Sequence, residues 1–80
     1  MRSKPISLRA AKARVTKAVK TYRFAYERGL PRHNYPMMAY NECRYRLAYG
    51  DDERFEKWYD EKVQPEIKRI RSDYPEVGQS

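Results

Sequence analysis

Strong aliphatic side chains are scarce in this sequence: Leu, Ile, Val and Phe together number 12 of 80 residues, or 15%. Below about 20%, and with a high net charge, a chain borders on disorder. Cysteine occurs once, as Cys43. A lone cysteine excludes an intramolecular disulfide, and no metal-ligand spacing surrounds it. A secreted scaffold of this size normally carries several bridges. The three glycines, at 29, 50 and 78, are too sparse for a phosphate-cradling loop. No apolar stretch long enough for a signal peptide or a membrane span follows the N-terminal charges. The expectation is a soluble, cytoplasmic chain with no membrane partner, and eighty residues allow one small domain.

Aromatic residues are present in their place: eight Tyr, two Phe and one Trp. Each buried ring removes roughly 150–250 Å² from water, so a few replace many aliphatics. The resulting core is thin, worth about 3–5 kcal/mol of net stability.

The periodicity throughout is helical. Residues 1–6 read as a basic arm. Ser7 is placed to cap a helix over 7–28, along which Leu8, Ala11, Val15, Ala18, Tyr22, Ala25 and Gly29 step by three and four. Gly29 and Pro31 stop it. A second helix is expected over 36–49, with Pro36 in its first turn and Gly50 at its end. Tyr40, Cys43 and Leu47 fall on one side of it, and Met38, Tyr45 and Tyr49 on the other. The third helix is expected over 52–73, capped by Asp51 or Asp52. Its stripe of Phe55, Tyr59, Val63, Ile67, Ile70 and Tyr74 keeps phase across Pro65, so one helix kinked at Pro65 is preferred over two. Residues 75–80 are expected to fray. The fold class is therefore all-α: a small three-helix domain, long–short–long, with an aromatic-rich core.

Catalytic arrangements are not evident. His33 lies in a loop with no Cys, Ser or acid placed to work with it. Cys43 reads as a small core hydrophobe. Glu56, Asp60 and Glu61 read as a solvated face carrying i,i+4 pairs with lysines. No catalytic residue, metal or cofactor is expected, and the chain is not expected to be an enzyme.

Charge is the most informative functional feature. Residues 1–50 carry twelve Lys and Arg against two acids, a net +10, whereas residues 51–80 carry six against nine, a net −3. On the first helix Arg9, Lys12, Lys20 and Arg23 fall within roughly 80° of arc, and Arg14, Lys17 and Arg28 extend the charge around the back. Such a stripe, about 30 Å long, matches the scale of a nucleic-acid backbone. A helix-turn-helix reading around Gly50 is rejected, because Asp51, Asp52 and Glu53 would open its recognition helix and repel phosphate.

The leading expectation is a non-enzymatic protein that binds DNA or RNA non-specifically through Arg9, Lys12, Arg14, Lys17, Lys20, Arg23 and Arg28. The alternative is an inhibitor or adaptor that binds a larger protein through Met38, Tyr45, Arg46 and Tyr49, since Tyr and Arg dominate interfaces. In composition alone the chain resembles the small accessory proteins of phages and mobile elements. The Ala11, Ala18, Ala25 seam further suggests a homodimer, because a marginal fold gains stability from association.

Overall fold

The computed structural model describes residues 4–74. The first three residues of the expected basic arm, and the expected tail 75–80, lie outside the described residues. Three helical runs follow one another, and no strand occurs among the described residues.

Helix α1 (Leu8–Arg28) begins where Ser7 accepts the Ala10 N–H at 3.1 Å. This satisfies one of the donors that every helix start leaves open. It ends at Gly29, whose φ of 68° is left-handed, and Leu30 N–H then reaches back to the Ala25 carbonyl at 2.9 Å. Helix α2 (Tyr35–Arg44) is capped by the Asn34 side chain, which accepts from Met37 N–H.

The third run is continuous from Asp51 to Asp73. It comprises α3 (Asp51–Trp58), a π-helical turn (Tyr59–Val63) and α4 (Gln64–Asp73). Neither Asp51 nor Asp52 is its N-cap. Gly50 holds that position at a φ of 93°, and the Asp52 carboxylate accepts from both Gly50 N–H and Glu53 N–H.

The expected kink at Pro65 is not confirmed; the feature at this point is the π turn just before the proline. Pro65 has no N–H to donate, and its ring crowds the carbonyl four residues back. The π turn also explains the stripe. Phe55, Tyr59, Val63 and Ile67 are spaced by four, which on a plain α-helix drifts about 40° per step. One extra residue in a turn absorbs most of that drift, and all four side chains stay buried.

The expected second helix 36–49 is five residues too long at its C-terminal end, since α2 stops at Arg44. Continuation would pair the Arg46 carbonyl with Gly50 N–H. Instead that carbonyl accepts Ile6 N–H at 2.9 Å, and Gly50 N–H goes to Asp52 Oδ1 at 3.2 Å. Tyr45 and Tyr49 consequently lie in the connection before α3, and Leu47, expected in the core, is only half-buried.

The core is aromatic. Helix α1 packs on α2, α3 and α4, and α2 packs on α3. Tyr40 of α2 stacks on Phe55 (centroids 5.0 Å) and tilts against Tyr59 (4.4 Å), while Phe55 stacks on Trp58 (5.9 Å). Ala11, Val15, Tyr22 and Tyr26 close this cluster from α1. Two of the three alanines suggested for a dimer seam, Ala11 and Ala25, are thus buried inside a single chain.

Candidate nucleic-acid interface

The seven cations expected on the first helix divide by position. On its flank toward the third helical run, Lys12 is half-buried with Nζ 5.7 Å from the Trp58 ring centroid. Arg23, also half-buried, pairs with Glu66 of α4. On the opposite flank, Arg14 Nη1 meets Glu42 of α2 at 3.1 Å. A further pair, Arg44 to Glu56 at 3.4 Å, joins α2 to α3. Ion pairs therefore span the α1–α2, α1–α4 and α2–α3 junctions, and two of them, Arg23–Glu66 and Arg44–Glu56, dock the acidic half of the chain on its basic half. These pairs are partly exposed and each is worth less than about 1 kcal/mol.

The outward face of α1 is different. Arg9, Lys17 and Lys20 are exposed, and among the described residues none has a carboxylate within ion-pairing distance. Arg28 is exposed at the C-terminal end of the same face, with its guanidinium 4.9 Å from the Phe24 ring centroid. Glu27, the one acid of α1, accepts a hydrogen bond from the Tyr74 hydroxyl at 3.0 Å. The expected grouping of Arg9, Lys12, Lys20 and Arg23 is accordingly split. The unpaired set is Arg9, Lys17 and Lys20, with Arg28 beside them, over about 28 Å of helix.

Phe24, within the interleaved stretch Tyr22-Arg23-Phe24-Ala25-Tyr26, is a functional candidate outside the expected site residues. It is 47% exposed, although Tyr22 and Tyr26 beside it in sequence are buried. The signal was available: Lys17, Lys20, Phe24 and Arg28 are spaced by three, four and four, off the apolar seam.

The four residues expected at a protein interface stand in different settings. Met38 is exposed and borders a groove of about 260 Å³ between α1 and α2, together with Lys17, Arg14 and Tyr35. Tyr45 and Tyr49 stand out from the connection between α2 and α3. Arg46 is withdrawn: its side chain is 17% exposed, its Nε donates to the Lys4 carbonyl at 2.7 Å, and its Nη1 lies 3.5 Å from Glu42. It anchors the segment preceding α1 and borders a pocket with Tyr45, Pro5 and Ile6.

Of the other residues weighed for chemistry, Cys43 is buried, and burial raises its thiol above the usual value. His33 is exposed and edge-on to Tyr35 at 5.7 Å. Glu56 is engaged by Arg44, while Asp60 and Glu61 face solvent. Two cations outside the expected set contact tyrosines: Arg32 lies 4.0 Å over the Tyr26 ring, and Arg71 Nε donates to the Tyr22 hydroxyl at 3.0 Å. That hydroxyl is 3.1 Å from the hydroxyl of Tyr26, which burial raises above its ordinary range.

No helix among the described residues is long and apolar enough to cross a membrane. The fold and the site together define a small all-α domain with a basic outward helix face. No known protein family, curated protein or solved structure matches the chain.

Proposed function

We propose that the protein binds nucleic acid non-specifically through the outward face of α1. The observation that carries this reading is the exposure of Arg9, Lys17 and Lys20 on one helix face with no acidic partner among the described residues. Arg14, Arg23, Arg44, Arg46, Arg54 and Arg69, by contrast, are held in ion pairs. Cations left free on one side of a helix neutralise successive phosphates and release their counterions. No base-reading geometry is implied.

The test is the salt dependence of binding to a labelled oligonucleotide. Affinity should fall steeply between about 50 and 200 mM salt. The triple change Arg9→Gln, Lys17→Gln, Lys20→Gln should reduce the slope of log K against log salt by about 2–3. A triple variant that binds like the wild type refutes the assignment.

A second reading, an inhibitor or adaptor that binds a larger protein, is favoured by one observation. Tyr45 and Tyr49 are the two most exposed large apolar side chains described, and among the described residues neither belongs to the core or packs against it. Exposed tyrosines of this kind anchor interfaces. It predicts a partner whose capture from nuclease-treated extract is lost in Tyr45→Ala, Tyr49→Ala and retained in the α1 triple variant.

A further inference from the structure

Resting on the nucleic-acid reading above, we propose that the ligand of the α1 face is an unpaired strand, and that one of its bases stacks on Phe24. Three observations converge on this residue. Phe24 exposes nearly half its surface on a helix whose other aromatic side chains, Tyr22 and Tyr26, are buried. Nothing in the fold requires a ring at that position, because Phe24 belongs neither to the core nor to the side chains packed against it. The cations of the face bracket it: Lys20 one turn before, Lys17 two turns before, and Arg28 one turn after, with a guanidinium 4.9 Å from the ring centroid.

The chemistry of that arrangement distinguishes strand from duplex. A duplex presents phosphates outward and keeps its base faces stacked against one another, so an apolar ring among cations gains nothing from it. A single strand offers both groups at once. Its phosphates meet Lys17, Lys20 and Arg28, and an unstacked base lies on the aromatic ring, a contact that tolerates any sequence because every base has a π face. Arg28 extends the platform, since a guanidinium stacks on rings and bases alike. The Lys17 side of the face continues into the groove bordered by Met38 and Tyr35, which supplies further apolar surface beside the strand.

The experiment measures fluorescence anisotropy of an oligothymidine of about 20 nucleotides and of a duplex of equal length, at fixed low salt, against four proteins: wild type, Phe24→Ala, Phe24→Tyr, and Lys17→Gln with Lys20→Gln. Wild type should bind the oligothymidine more tightly than the duplex. Phe24→Ala should weaken oligothymidine binding about five- to a hundredfold and leave duplex binding within about twofold. Phe24→Tyr, which keeps the ring, should retain strand binding. The lysine variant should lose affinity for both. An alanine variant that binds oligothymidine like the wild type, or that weakens both ligands equally, overturns the stacking proposal while leaving the basic face intact. Loss of strand binding in Phe24→Tyr as well as Phe24→Ala overturns it too. Unchanged binding by the lysine variant instead overturns the underlying nucleic-acid reading.

Discussion

The tyrosines inside this protein and those outside it are the same residue in opposite employment. Tyr22, Tyr26, Tyr40 and Tyr59 are buried, while Tyr45 and Tyr49 are the most exposed large hydrophobic side chains described. Tyr40 and Tyr59 belong to the ring ladder, and Tyr22 and Tyr26 to a phenol–guanidinium cluster with Arg71 that joins α1 to α4. The outer two stand on a short connection with no helix to turn them inward. In a chain with so few aliphatics, tyrosine thus has to supply a core and a surface together. What decides between the two is backbone position. The four inner tyrosines sit on the core-facing sides of the three helical runs, whereas the outer two follow the point where α2 is cut short.

The sharpest way to break this division is to truncate one ring on each side. Phe55 lies at the centre of the ladder, stacked between Tyr40 and Trp58. Phe55→Ala should cost about 3–5 kcal/mol, comparable to the whole stability expected for a chain this short. Tyr49→Ala should change stability by less than about 0.5 kcal/mol. Urea denaturation of both variants measures the contrast, and equal losses would mean that the outer tyrosines are part of the core.

Alkaline titration sharpens the comparison next. Burial pushes Tyr59 up to about 12, from an ordinary value near 10. A phenol whose folded value is raised favours the neutral form, so its contribution is present in full below about pH 10. It is lost as pH rises from 10 to 12, amounting to about 2–3 kcal/mol. Its hydroxyl has no hydrogen-bond partner among the described residues. Tyr59→Phe should therefore be neutral or slightly stabilising at pH 7, and should unfold less readily than the wild type near pH 11.5. Denaturation midpoints of both proteins across this range provide the measurement.

Tyr22→Phe removes the same atom with the opposite result. The Tyr22 hydroxyl accepts from Arg71 and contacts Tyr26, so its loss leaves two polar groups short of a partner and should cost about 1–2 kcal/mol. A Tyr22→Phe variant as stable as Tyr59→Phe in neutral urea would remove the distinction between paired and unpaired inner tyrosines. The smallest effect is expected at the helix junctions. A double-mutant cycle of Arg23→Gln and Glu66→Gln should give a coupling below about 1 kcal/mol, because both side chains are only partly buried. A coupling well above that would assign the interhelical ion pairs a main part in stability.

Several of these features are legible in the residues themselves. Ser7 and Gly29 mark the bounds of α1 without reference to anything distant, since capping and left-handed closure are local. The stripe from Phe55 to Tyr74 marks one helix through Pro65, and its run of four-residue steps already carries the trace of the π turn. The cationic character of α1 is equally plain. Which of its cations are free is not, because a helical wheel orders residues around an axis without saying where the neighbours stand. Lys12 and Arg23 share an arc with Arg9 and Lys20, and only the position of Trp58 and Glu66 separates them.

Local sequence by itself determined the helical class, the start and end of α1, the aromatic make-up of the core and the uneven charge of the two halves. Periodicity, capping chemistry and composition act over a few residues, so they can be read in a single chain. Tertiary structure decided the end of α2, the exposure of Tyr45 and Tyr49, the withdrawal of Arg46 and the isolation of Arg9, Lys17 and Lys20. The Arg46 carbonyl is taken by Ile6, forty residues earlier in the chain, and no pattern within α2 announces that competitor. The carboxylates that engage Arg14 and Arg23 likewise come from other helices. Both outcomes depend on which distant groups the packed helices bring within hydrogen-bond reach.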